Sequence, residues 1–153
     1  MRARASACAC ALAAIALIEP GCGANDEKLP RVCLDGARAV ATALRKAPDP
    51  VRLADGMRLS TCVKRARRDA DLKAVGTIYT AVADGLATHV RSSDTAALQL
   101  GYLVAAARRG ASTTNGTNVE LVRRLEQSAG IDGPPPSHRA AYGQGLAAGA
   151  RTG

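Results

Sequence analysis

Residues 69–91 read DADLKAVGTIYTAVADGLATHVR. The larger apolar residues of this segment recur at alternating steps of three and four, at Leu72, Val75, Tyr79, Val82 and Leu86. One face of an α helix has this spacing. Asp69 and Asp71, at the beginning of the segment, are suited to cap a helix. The segment therefore predicts a long amphipathic helix with one buried side.

Two more helices are predicted upstream of this segment. The first covers residues 31–46, and the second runs from Val51 or Asp55 to Arg68. Residues 46–50, KAPDP, separate the two helices because proline lacks the amide hydrogen that a helix interior needs. So short a break between two helices predicts an antiparallel αα-hairpin.

Downstream of the segment, residues 92–94, SSD, predict a turn and an N-cap for a helix over residues 95–109. The first 13 residues of this helix, 95–107, are uncharged. A helix needs about 20 apolar residues to cross a bilayer, so this run is too short to span one. It predicts instead the central, buried helix of a bundle.

Near the C-terminal end the pattern predicts a fifth and a sixth helix. Residues 117–120, TNVE, fit a capping box with Glu120 at the third helical position. Residues 132–136, DGPPP, form a stiff linker. Ser137 is expected to cap the last helix, which runs to Arg151. Gly143, Gly145 and Gly149 lower the intrinsic helix propensity of this segment.

The composition supports a fold made of helices alone. Alanine, the best helix former, dominates the apolar residues, and Phe and Trp are absent. Residues that favour strands are too scattered to build a sheet. We therefore expect an all-α protein, a small Ala/Leu-rich bundle of five or six helices forming one domain over residues 31–153.

The N-terminal segment has the features of an export signal. Arg2 and Arg4 give it a positive start, and the 14 residues from Ala5 to Ile18 carry no charge. This length matches the apolar region of a signal peptide and is too short for a membrane span. The alternative is a buried N-terminal helix of the domain.

Residues 1–22 resemble a bacterial lipoprotein signal peptide. Gly21 and Cys22 match the last two positions of the family's processing box, whereas Glu19 and Pro20 replace the usual aliphatic and small residues. The resemblance implies removal of residues 1–21 and attachment of diacylglycerol to the thiol of Cys22. Two acyl chains anchor a protein stably to a membrane.

The lipid anchor predicts an extracytoplasmic, membrane-anchored protein whose residues 22–30 act as a tether. Its partner would be an unidentified protein of the cell envelope. Two alternatives remain at this stage. Cleavage after Ala24 would release a secreted protein, and an uncut leader would act as a weak anchor.

The cysteines support the same compartment. Cys8 and Cys10 are expected to leave with the leader, and Cys22 either carries lipid or is lost with the leader, so Cys33 and Cys62 remain. They lie 16 and 13 residues from Asp49, so an antiparallel hairpin brings them to the same level. We expect a disulfide, with two buried free thiols as the alternative. A zinc site is disfavoured because no His or second pair of cysteines lies nearby.

A net charge of +8 raises the question of a negatively charged partner. The candidate contacts form three basic doublets: Lys64 and Arg65, Arg67 and Arg68, Arg108 and Arg109. They are predicted late in helices, where cations complement the helix dipole, so solvated faces are the first interpretation and an anionic membrane surface the second. Nucleic acid is not expected, because Tyr79, Tyr102 and Tyr142 lie far apart and do not alternate with basic residues.

The sequence has no recognisable catalytic or cofactor motif. It lacks the His-Glu-x-x-His pair, the phosphate-binding loop and the Gly-x-Ser-x-Gly elbow. His89 has no acidic or thiol partner at ligand spacing, and His138 is expected at the start of a helix as an ordinary surface or boundary residue. We therefore expect no catalytic residues, metal or cofactor. The leading hypothesis is a structural or interaction module at the cell envelope. The alternatives are a secreted binding protein for an anionic ligand or surface, and an enzyme without known motifs.

Overall fold

The computed structural model describes residues 28–114, 116, 118–128, 130 and 133–153. Every regular element within these ranges is helical, which confirms the all-α prediction. The α helices are α1 (Ala37–Leu44), α2 (Leu59–Arg65), α3 (Asp69–Ala87), α4 (Asp94–Ala111), α5 (Val119–Ser128) and α6 (Arg139–Thr152). Three short 3₁₀ turns accompany them: Arg31–Leu34, Ala54–Gly56 and Pro136–His138.

Helix α4 is the centre of the bundle. It packs against each of the other five α helices, and 12 of its 18 residues are buried. Its N-terminus is capped by Ser93, whose hydroxyl accepts a hydrogen bond from the backbone amide of Ala96 at 3.2 Å. The predicted central helix and its cap are therefore confirmed.

Helix α3 presents the predicted apolar seam to the core. Val75, Tyr79 and Val82 are buried, and Leu72 and Leu86 pack against the core at its edge. The helix ends at Ala87 and not at residue 91, so its predicted end is wrong. Beyond it the amides of residues 89, 90 and 92 bond three residues back, because the chain tightens into successive turns that bury Val90.

The first two helices are shorter than predicted. Gly36 adopts φ +91°, a conformation that other residues avoid, and it divides residues 31–46 into a 3₁₀ turn and α1. Leu34, at the end of the 3₁₀ turn, is consequently 45% exposed, although helical spacing over residues 31–46 predicts it on the apolar face with Val40 and Leu44. The second helix begins at Leu59 because the chain turns at Asp55, which has φ +58°. It ends at Arg65, so Arg67 and Arg68 lie outside it.

The disulfide between Cys33 and Cys62 is present, which confirms the predicted pairing. It joins the turn Arg31–Leu34 to helix α2, with the two Cα atoms 5.5 Å apart. The turn packs against α3, as α1 does, whereas α2 packs mainly against α4. The bridge therefore ties together two segments that pack on different helices.

The residues predicted to cap the last two helices are placed as follows. Thr117 lies outside the described residues, and Glu120 is the second residue of α5, where it binds Arg123 and Arg124. Ser137 sits inside a 3₁₀ turn, and His138 occupies the N-cap position of α6 without a side-chain cap. The proline-rich segment starts the turn one residue before Ser137, so Ser137 cannot act as the cap.

Helix α6 lies directly on α4. A Cβ atom on Gly145 would stand 2.0 Å from the carbonyl oxygen of Leu98, and one on Gly149 would stand 2.3 Å from that of Tyr102. In the other direction, a Cβ atom on Gly101 would stand 2.3 Å from the carbonyl oxygen of Tyr142. The backbones of the two helices thus meet where side chains are missing.

A buried hydroxyl joins α4 to the segment before α2. The backbone amide of Val51 donates to Tyr102 Oη at 3.0 Å, and Tyr102 Oη lies 2.9 Å from Thr152 Oγ1. Thr152 Oγ1 itself donates to the carbonyl of Ala148, so the tyrosine is the donor toward Thr152. The Tyr102 hydroxyl thereby forms hydrogen bonds with the segment before α2 and with the end of α6.

Replacing Tyr102 by Phe is expected to lower the free energy of unfolding by about 1–3 kcal/mol, because the buried amide of Val51 loses its acceptor. Urea denaturation measures this change. Tyr142→Phe is the matched control, since the described residues offer no hydrogen bond to its hydroxyl. Equal stability of the two variants would contradict the role given to the Tyr102 hydroxyl.

Tyr79 makes the protein sensitive to alkali. Its hydroxyl donates to the carbonyl of Leu59 at 2.9 Å inside the core, and burial raises its pKa above the ordinary value of 10.0. Above about pH 10 the unfolded chain loses this proton while the folded chain keeps it, so stability falls as the pH rises. We expect Tyr79→Phe to reduce the difference in unfolding free energy between about pH 9 and about pH 11. An unchanged difference would contradict this assignment.

Candidate functional site

The proposed lipid attachment site lies outside the described residues. Both Cys22 and the signal segment 1–21 fall there, and only residues 28–30 of the predicted tether are described. Within the described ranges, no helix combines the length and apolar character needed to cross a bilayer.

Arg68, Arg108 and Arg109 of the doublets bind other residues of the fold. Arg68 binds Asp71 at 2.8 Å, within the first turn of α3. Arg108 binds Glu126 of α5, also at 2.8 Å. Arg109 donates to the carbonyls of Ala150, at 3.0 Å, and Arg151, so it caps the C-terminus of α6 and not that of its own helix.

The remaining three doublet cations lie around the end of α2. Arg65 is half-buried, whereas Lys64 and Arg67 are exposed. Neither Lys64 nor Arg67 forms an ion pair with any described residue. Of the predicted contacts, these two cations are the ones most available to an external anion.

A groove that the sequence did not predict runs between α1 and the segment 52–54. We call it the α1 groove. It has a volume of about 490 Å³. Its apolar floor consists of Val32, Ala39, Ala43 and Leu53. Its charged residues are Arg38, Lys46, Arg52 and Asp35. The groove is therefore apolar at the bottom and predominantly cationic at its walls.

Arg52 holds a fixed position in the α1 groove. Its Nη1 atom donates to the carbonyl of Val51 at 2.8 Å and to that of Thr152 at 2.7 Å. Thr152 is the last residue of α6, whose C-terminal carbonyls attract a cation. Since only Nη1 is occupied by these bonds, the other guanidinium nitrogens remain available to an anion in the groove.

A second groove, of about 350 Å³, lies between α3 and α5. Asn118, which is 1% exposed, contributes to its wall and donates from Nδ2 to the carbonyl of Val63 at 2.7 Å. Its buried Oδ1 atom has no donor among the described residues. At the rim, hydrogen bonds from Arg123 and Arg124 lower the pKa of Glu120 to about 2. The carboxylate at this rim is therefore already paired with cations of its own helix.

The histidines do not assemble a reactive centre in the described part of the chain. His138 Nδ1 lies 2.7 Å from Asp94 Oδ1, and Nε2 lies 3.1 Å from the carbonyl of Arg91. These contacts fasten the start of α6 to the start of α4. Among the described residues, no group of three or more His, Cys, Asp or Glu side chains is placed to hold a metal ion.

Comparison of the chain with protein-family models, with curated proteins and with solved structures finds no match in any of the three. The candidate sites are accordingly those that the chain's own residues define: the α1 groove, the exposed cations Lys64 and Arg67, and the buried disulfide.

Proposed function

We propose that the protein is an exported helical module that acts outside the cytoplasmic membrane as a structural or interaction protein. The observation that carries the proposal is the disulfide between Cys33 and Cys62. Disulfides persist in oxidising compartments, whereas the cytosol keeps most thiols reduced. A disulfide built into the core therefore favours a protein that folds after export.

The position of the bridge strengthens this inference. Cys33 is 1% exposed and Cys62 is fully buried, so the bond belongs to the core and is shielded from reductants. The core around it contains Ala, Val and Leu, with Tyr79 and Tyr102 as its largest buried side chains. Because alanine contributes little apolar area, a covalent link across 29 residues is a substantial part of what stabilises such a core.

The anchor is proposed from the N-terminal sequence. Diacylglycerol on Cys22 would hold the module at the membrane, with the following residues as a short tether and an envelope protein as its partner. Secretion after cleavage behind Ala24 is the alternative. The absence of a recognised catalytic motif in the sequence favours a non-enzymatic role.

The test is the intact mass of protein purified from membranes of a Gram-positive expression host, before and after reduction and alkylation. The proposal predicts a chain that begins at Cys22 and carries diacylglycerol, with two thiols that react only after reduction. A Cys22→Ala variant is the control and should lose the lipid while keeping the bridge. A full-length mass with free thiols at Cys33 and Cys62 would refute export.

A second candidate function is binding of an anionic ligand or surface through Lys64 and Arg67. It is favoured by their exposure and by their lack of ion pairs with described residues. Screening weakens contacts between exposed charges, so binding to anionic vesicles should fall as salt is raised. The K64E/R67E variant should bind less than the native protein. Binding that ignores both salt and this substitution would exclude the candidate.

A further inference from the structure

We propose that the α1 groove binds a small organic oxyanion, a carboxylate or phosphate attached to an apolar body. None of the basic doublets lines this groove, and the proposal does not depend on how the protein is anchored. The proposal follows from three properties of the groove: unpaired cations, a fixed guanidinium, and an apolar floor of suitable size.

Two cations of the groove have no carboxylate partner among the described residues. Arg68, Arg108 and Arg123 each form an ion pair at 2.8 Å. Arg38 and Lys46 form no ion pair with any described residue, although the carboxylate of Asp35 lines the same groove. An anion entering the groove therefore meets positive charge that the fold has not neutralised.

Arg52 supplies a recognition group that is already in place. Two backbone carbonyls hold its guanidinium through Nη1, so little side-chain freedom is lost when a ligand binds. A planar guanidinium with free N–H groups suits the paired oxygens of a carboxylate or phosphate. No described carboxylate accepts these donors.

The shape of the groove limits the class of ligand. A volume of about 490 Å³ lies within the range of small-molecule sites. The floor of Val32, Ala39, Ala43 and Leu53 offers no hydrogen bonds from its side chains, so it favours an apolar body over a bare ion. Asp35 precedes α1 and Lys46 follows it, so the one carboxylate among the described lining residues lies at the opposite end of the helix from Lys46.

The test compares binding of hexyl phosphate and of inorganic phosphate to the purified, disulfide-bonded chain by isothermal titration calorimetry. Hexyl phosphate joins the expected oxyanion to an apolar body, and we expect it to bind at least about tenfold more tightly than inorganic phosphate. Equal affinity for the two probes, or no binding of hexyl phosphate, would overturn the proposal.

Matched variants locate the site. R38E/K46E removes the unpaired cations of the groove, and K64E/R67E makes the same change in net charge at the end of α2. We expect hexyl phosphate to bind at least about tenfold more weakly to the groove variant and with native affinity to the other. Equal loss in both variants would indicate general electrostatic attraction, and loss in K64E/R67E alone would place the anion on the doublets. Either result refutes the groove.

Two further measurements exclude trivial explanations and identify the source of the oxyanion. Thermal unfolding must show that R38E/K46E is folded, and R38Q/K46Q should show a smaller loss of affinity in the same direction.

Binding of the native protein to vesicles of phosphatidylglycerol and to vesicles of phosphatidylcholine is then compared. Selective binding to the anionic vesicles that R38E/K46E abolishes would assign the oxyanion to a lipid headgroup. Hexyl phosphate binding without vesicle binding would assign it to a soluble molecule.

Discussion

Replacing Gly145 by alanine is expected to destabilise the protein by about 2–4 kcal/mol, although alanine is the better helix former. The new Cβ atom would stand 2.0 Å from the carbonyl oxygen of Leu98, 2.8 Å from its carbonyl carbon and 2.9 Å from the amide nitrogen of Tyr102. All three are backbone atoms of α4, so no side-chain rotation relieves the overlap. Helix α6 must move away from α4, and contacts along the whole pair are lost.

Gly143→Ala is the matched control for this substitution. Gly143 lies on the same helix and is exposed, and a Cβ atom placed on it meets nothing within 4 Å. At this position only the higher intrinsic helix propensity of alanine over glycine has an effect, and the free energy of unfolding should rise by about 0.5–1 kcal/mol. Urea denaturation of both variants gives the comparison. A change of the same sign in both would contradict the close packing of α4 and α6.

Gly149 extends the argument to the next turn of α6. Its Cβ atom would stand 2.3 Å from the carbonyl oxygen of Tyr102, so Gly149→Ala should also be destabilising. The double variant should cost less than the sum of the two single variants, because the first substitution already separates the helices. Strict additivity would show that the two positions relax independently.

Removal of the bridge between Cys33 and Cys62 should have an effect of similar size. The bridge closes a loop with a sequence separation of 29 residues, and in the chain-entropy account its loss costs about 3–4 kcal/mol. We expect C33A/C62A to retain its helical circular dichroism at low temperature and to melt at least about 10 °C below the native protein. The effect is large because a small domain has a total stability of only about 5–15 kcal/mol.

Reductant supplies the control for the bridge. Dithiothreitol should lower the melting temperature of the native protein toward that of C33A/C62A and leave the variant unchanged. The native protein should respond slowly, since Cys62 is fully buried and reduction requires local opening of the fold. If the native protein and the variant melted together in the absence of reductant, the bridge would have no stabilising role.

Local sequence pattern determined the helical class and the two longest helices. The seam of α3 and the Ser93 cap of α4 follow from side-chain spacing and from one hydroxyl. These features depend on residues a few positions apart, so periodicity and capping rules suffice to predict them. The disulfide was also predictable, because assigning Cys8, Cys10 and Cys22 to a predicted leader and its processing site leaves one pair of cysteines at similar distances from a proline-rich break.

The candidate site could not be predicted in the same way. The basic doublets are conspicuous in the sequence, but the fold already engages two of their residues: Arg109 caps the C-terminus of α6, and Arg108 forms an ion pair with α5. The cations of the α1 groove, Arg38, Lys46 and Arg52, lie 8 and 6 positions apart in the sequence, so no continuous basic run marks them as a group. Arg52 joins the groove only because the end of α6 supplies a carbonyl for it.

The sequence by itself thus determined the helical class, the apolar faces of α3 and α4 and the disulfide pairing, since each depends on spacing along the chain. Only the tertiary structure shows that α6 packs directly against the backbone of α4. Its glycines lower helix propensity and counted against this helix in the sequence, but in the fold they let two backbones approach where a methyl group would overlap. It also decided which cations remain unpaired. Whether a group has a partner depends on residues far away in the sequence, which no local pattern records.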